Sequence, residues 1–169
     1  VRSIATSDGL FQTTGVGYDP HGGFSLDGSD IQIRDYPVLN ELTRAVVLCN
    51  DATLRLEGES WLLQGDPTEG ALLALGLKAG LDPVFQSREW PRTDIIPFES
   101  EHRFMATLHH DHAGHGFVYI KGAPERLLEM CTMQRRHGED VPLDSGYWQR
   151  HLELMADQGQ RLLAVAFKR

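Results

Sequence analysis

The chain has 169 residues, 41% hydrophobic and 24% charged, the composition of a folded domain rather than a disordered segment. At this length roughly 70% of the unfolded surface can be buried, so one core suffices without staples. Sixteen basic against twenty-four acidic residues give a net charge of −8, which argues against a nucleic-acid backbone or an anionic membrane surface as the main partner.

Val1–Ala5 and Leu10–Gly17 read as strands, and the glycine-rich stretch Gly17–Asp30, with Pro20 and Gly22-Gly23, reads as an exposed loop. A helix is predicted from Pro37 to Cys49, with Leu39, Leu42, Val46 and Cys49 on one face. Asn50-Asp51 ends it. A turn near Glu57–Glu59 precedes a short strand, Trp61–Gln64. The next helix opens with Asp66 as N-cap, Pro67 in the first position and Glu69 in the third, and stops at Gly80.

The second half is richer in strand. In Arg103–His110, Phe104, Ala106 and Leu108 alternate with Arg103, Met105 and Thr107. The first set is expected to face the core, which leaves Arg103 and Met105 to face one pocket. Asp111–Gly116 turns the chain and Phe117–Lys121 returns as hairpin partner. Helices follow over Pro124–Cys131 and Asp144–Asp157. Gln160–Lys168 is apolar on both faces and reads as a central strand. Hairpins outnumber βαβ units, which predicts an α+β domain with a mainly antiparallel β-sheet flanked by helices, spanning residues 1–169.

Cys49 and Cys131 are too few and too distant for a disulfide framework or a cysteine zinc site, and a reducing compartment suits them. The longest apolar run, Leu162–Phe167, falls far short of the roughly 20 residues of a membrane helix. No signal-peptide pattern opens the chain. The loops and motifs of self-sufficient phosphotransferases, zinc proteases and serine hydrolases are missing, so no catalytic residue is assigned.

Five segments occur in an informative order. They are Leu48-Cys49-Asn50-Asp51; Gly65-Asp66-Pro67-Thr68-Glu69-Gly70-Ala71-Leu72; Pro97 through Met105; Lys121-Gly122-Ala123-Pro124-Glu125; and Arg161 through Ala166. Together they resemble the nucleotide-binding (N) domain of P-type, or E1–E2, cation-transporting ATPases, nearest the calcium- and sodium-pump-like branches in a bacterial style. The resemblance implies the N-domain fold and an ATP site. Phe98 would stack on adenine, Glu69 would lie by its amino group, and Lys121 with Gly122 would line the deep end. Arg103 and Met105 would face the nucleotide, and Arg161 would reach phosphate or ribose. Ser100 stands where many members carry a basic residue, which shifts phosphate contact toward Arg103 and Arg161.

Residue by residue, plainer readings exist. Glu69 fits a capping box, Phe98 an ordinary core aromatic, Lys121 a solvated strand end, and Arg161 a snorkelling side chain. Their joint order favours the functional reading. His109, His110, His112 and His115 crowd a hairpin tip without a thiol and with one carboxylate, Asp111, so no metal site is assigned there.

The resemblance further implies a cytoplasmic domain, excised from an integral membrane pump of the bacterial inner membrane. It would be a monomer with no membrane contact of its own. It would bind ATP or ADP (Mg-ATP in the parent enzyme) and meet phosphorylation and actuator domains of the same parent chain. The parent phosphorylates an aspartate in a D-K-T-G-T motif absent here, so this chain would bind ATP without turnover. As an inserted domain it would hold its termini close together. Two alternatives are a stand-alone adenine-nucleotide-binding regulatory module and a histidine-loop metal-binding protein.

Overall fold

In the computed structural model, which describes all of residues 1–169, the N-terminal alternation builds an antiparallel meander. Its strands are β1 (Ser3–Thr6), β2 (Gly9–Thr13), β3 (Phe24–Leu26) and β4 (Ser29–Ile31). Ile4 pairs with Phe11, Phe11 with Leu26 and Phe24 with Ile31, which puts these side chains on one face. The expected loop Gly17–Asp30 is therefore partly strand. Its hairpin turns at Asp27-Gly28, both at positive φ (50° and 79°), as a two-residue type I′ turn requires.

Helix α1 (Pro37–Leu48) lies between this meander and a second sheet. Leu39 and Val46 join Ile4, Phe11, Phe24, Leu72 and Leu75 in one core cluster. Ala45, Leu48 and Cys49 join Met105 and Tyr119 in another. One amphipathic helix thus closes two cores, each buried apolar side chain contributing roughly 1.5–3 kcal/mol.

A small hairpin, β5 (Thr53–Glu57) and β6 (Ser60–Gln64), leads into α2 (Pro67–Lys78). Asp66 caps α2 as expected, accepting from the N–H groups of Thr68 and Glu69. Gly80 follows at φ 81°, a conformation that favours glycine. The sequence reading did not anticipate α3 (Pro83–Glu89) or β7 (Arg92–Glu99).

The second sheet is antiparallel in the order β12–β9–β8–β7, with β8 (Phe104–His110), β9 (Gly116–Gly122) and β12 (Ala164–Lys168). Between β9 and β12 come α4 (Pro124–Met130), a hairpin of β10 (Met133–Arg136) with β11 (Glu139–Pro142), and α5 (Ser145–Asp157). Fold class agrees with the sequence: α+β, with antiparallel sheets and five helices.

Two details are corrected. β12 starts at Ala164 and is an edge strand, not a central one. Helices α1 and α4 both pack against it, which gives its apolar side chains partners although none of them is fully buried. In β8 the core side is Met105, Thr107 and His109, all buried, the reverse of the expected polarity. Here α1 supplies the apolar lid.

Ser3 Oγ donates to Gln160 Oε1 at 2.6 Å, tying the first strand to the segment entering the last. No helix is long and apolar enough to cross a membrane.

Candidate functional site

The second sheet, the start of α2 and the segment before β12, together with β1, α1, α4 and α5, border a groove of about 1060 Å³. All seven sequence-assigned residues line it: Glu69, Phe98, Arg103, Met105, Lys121, Gly122 and Arg161. The groove continues inward along apolar side chains, among them Leu42, Val46, Leu72, Leu127 and Leu152.

Lys121 is the penultimate residue of β9, opposite Met105 of β8. Its ammonium donates to Glu69 Oε1 at 2.7 Å, and the two side chains are only 7% and 16% exposed. Lys121 is thus no solvated strand end. Nor does Glu69 complete a capping box: its carboxylate accepts from the backbone N–H of Asp51, at 3.3 and 3.4 Å, and from Lys121. Beneath this pair the Cys49 thiol donates weakly to the carbonyls of Met105 and Tyr119. Burial pushes the thiol pKa up, so it stays a protonated, unreactive side chain.

Phe98 sits at the end of edge strand β7 and is 61% exposed, so it is not a core residue. The register slips between Ile96 and Glu99, around Pro97, which has no N–H for the ladder. That irregularity leaves a large aromatic ring facing solvent.

Arg103 is not part of β8. It occupies the turn before it at φ 59° and pairs with Glu125 at 2.7 Å. Met105 is buried in the second core and touches the groove from below. Gly122 has a backbone reason for being glycine. A Cβ there would meet the Arg103 carbonyl and lie 2.6 Å from Phe104 Cβ, where Ala123 N–H bonds Arg103 O at 2.9 Å.

Arg161 is exposed, lies in the segment before β12 and has no ion-pair partner. The Asp66 carboxyl is held below its ordinary range by the Glu69 N–H first, then by Thr68, with a smaller pull from Arg161. Of the five lysine and arginine side chains that line the groove, Lys121, Arg103 and Arg135 are paired with carboxylates, which leaves Arg161 near the start of α2 and Arg2 at the N-terminus free to meet an incoming anion. The sequence reading missed Arg92 and the pairing role of Glu125. Arg92 carries no local signal, because only the tertiary fold places it over the Asn50-Asp51 turn.

The histidines disperse. His109 is 1% exposed, bonded to the Trp90 carbonyl and Thr107 Oγ1. His110 meets Thr93, His112 approaches Glu89, and His115 pairs with Asp111. No three His, Cys, Asp or Glu groups converge as a metal site would require.

A concave, largely apolar groove with a few convergent polar groups has the build of a small-molecule-binding domain. Sequence comparison makes the family specific: residues 38–169 match the family described as P-type ATPase, cytoplasmic domain N, and the chain belongs to it. It is 40% identical to cation-transporting ATPase pma1 of Synechocystis over 99% of this chain and 19% of that protein. It is 38% identical to probable cation-transporting ATPase F of Mycobacterium tuberculosis, over 98% of this chain and 18% of the relative. Against human calcium-transporting ATPase type 2C member 1 the identity is 35%, with the same coverage. The chain therefore spans about a fifth of the length of the curated relatives it matches.

Proposed function

We propose that the groove binds ATP through its adenine moiety, as the nucleotide-binding domain of a membrane cation-transporting ATPase. Phe98 stacks on the base, the Glu69 carboxylate accepts from the adenine amino group, and Lys121 lines the deep end. Met105 and Gly122 shape the floor, while Arg161 and Arg103 meet ribose or phosphates. The carrying observation is the convergence of an exposed aromatic, a buried lysine–carboxylate pair and an unpaired guanidinium on one groove, in a chain of this family.

In the parent, the bound γ-phosphate is delivered to an aspartate of a separate phosphorylation domain. Binding therefore occurs here and hydrolysis requires the rest of the pump. The parent is an ion-translocating ATP hydrolase, and this domain works on the cytoplasmic side. Magnesium travels with the phosphates, since no carboxylate cluster in the groove awaits it.

One aromatic stack and two or three partly exposed charged contacts leave little surplus after ordering costs, so Kd falls at roughly 0.1–1 mM, about −4 to −5.5 kcal/mol. An amide-resolved NMR titration with ATP, ADP and adenosine, with and without magnesium, tests the reading. Shifts are expected at Glu69, Phe98, Arg103, Lys121 and Arg161, with adenosine perturbing the first three. Silence there up to several millimolar would overturn it.

A further inference from the structure

Asn50 is 6% exposed, and its side-chain amide bonds through both Nδ2 and Oδ1. Its Nδ2 donates to the carbonyls of Val46, at 3.1 Å, and Glu69, at 3.0 Å. Its Oδ1 accepts from Ala52 N–H at 2.9 Å. One side chain thus joins the end of α1 to the first turn of α2 and shapes the turn between them. The next residue, Asp51, aims its backbone N–H at the Glu69 carboxylate.

Arg92 holds the outside of the same turn. Its guanidinium bonds Asp51 Oδ1 at 2.7 Å and the Asn50 carbonyl at 3.4 Å. Arg92 begins β7, the strand that ends with Phe98. The turn that orients the carboxylate is therefore fastened to the strand that carries the exposed ring.

We infer that Asn50, with Arg92 as its outer clamp, is a positioning residue that fixes the Glu69 carboxylate relative to Phe98 and so sets discrimination at the purine 6-position. This rests on the nucleotide reading above. The chemistry follows from the donor count. Glu69 has two fixed donors, Lys121 Nζ and Asp51 N–H, and its remaining lone pairs can accept from an exocyclic amine. A hydrogen bond to an ionised acceptor discriminates only when the acceptor cannot swing away. Without Asn50, the Glu69 backbone and the Asp51 N–H lose their shared anchor.

The test compares ATP with purine riboside 5′-triphosphate, which lacks only the 6-amino group, for the wild-type chain, Asn50→Ala and Arg92→Gln. The wild type is expected to prefer ATP by roughly tenfold, the scale of one charge-assisted hydrogen bond. In Asn50→Ala the preference collapses toward about twofold while affinity for the purine analogue changes less than twofold. Arg92→Gln gives an intermediate loss. Arg92 is partly exposed, so that variant decides the matter if Asn50→Ala fails to fold.

A preference undiminished in the folded variants overturns the inference. So does an equal weakening of both ligands, the mark of a merely structural role. Wild-type binding of both ligands without preference overturns the inference and leaves nucleotide binding standing. Binding of neither overturns the nucleotide reading as well.

Discussion

The Lys121–Glu69 pair is the point where stability meets the proposed ligand recognition, and a double-mutant cycle with Glu69→Ala and Lys121→Ala measures its contribution to stability. At 2.7 Å and an effective dielectric near 20, the bare attraction is about 6 kcal/mol. Desolvating an ammonium and a carboxylate takes back several kcal/mol. The Asp51 N–H returns part of that by bonding the carboxylate in place. The expected coupling is about 2–3 kcal/mol, well above the roughly 0.2–1 kcal/mol of exposed pairs. Each single variant should lose about 3 kcal/mol because it strands the other charge, and the double variant should lose less than the sum. Urea unfolding of the four proteins, with unchanged m-values as the check on two-state behaviour, gives the numbers. A coupling below about 1 kcal/mol would mean that groove water screens the pair like a surface contact, and the buried-pair argument would fail.

Three other outcomes are expected. Phe98→Ala should leave the urea midpoint almost unchanged, because the ring is exposed, yet weaken ATP binding by roughly tenfold, about 1–2 kcal/mol; unchanged affinity in calorimetry would remove the stacking assignment. Gly122→Ala should cost roughly 2–3 kcal/mol through collision with the Arg103–Phe104 backbone, and a thermal melt matching wild type would contradict that close approach. Burial lowers the His109 pKa below its ordinary 6.5, so the folded state resists protonation that the unfolded chain accepts. Stability from this group is complete above pH 6.5 and falls as pH drops from there to the native value. His109→Gln should flatten that part of the urea-midpoint curve against pH, and a curve parallel to wild type would show that His109 does not carry it.

Much of the fold could be read locally. Asp66, Pro67 and Gly80 delimit α2 because capping groups and positive-φ glycine act within one turn of chain. The α1 face of Leu39, Leu42 and Val46 follows from helical spacing alone, whereas Cys49, expected on the same face, is the C-cap and packs in the second core. The three-residue strands β3 and β4 were missed because they are too short to show a period, although Asp27-Gly28 marked their turn. Strand β7 was missed for another reason: all eight of its residues are exposed, so no inside-outside alternation exists to be seen.

For the site, the ordered motifs named the residues around the groove, since each motif is a local run of chain. The sequence could not say which partner each would take. Glu69 leaves the capping box for Lys121 and Asp51, fifty-two and eighteen positions away, because a buried ammonium needs a counter-charge more than a helix end needs a second cap. Likewise Met105 turns toward the core and Arg161 stays free only because α1 covers one face of the second sheet and the approach to β12 lies open. Local chemistry fixes caps, turns and periodicity; partners, burial and the sign of charge left in the groove depend on contacts between distant segments, which only packing creates.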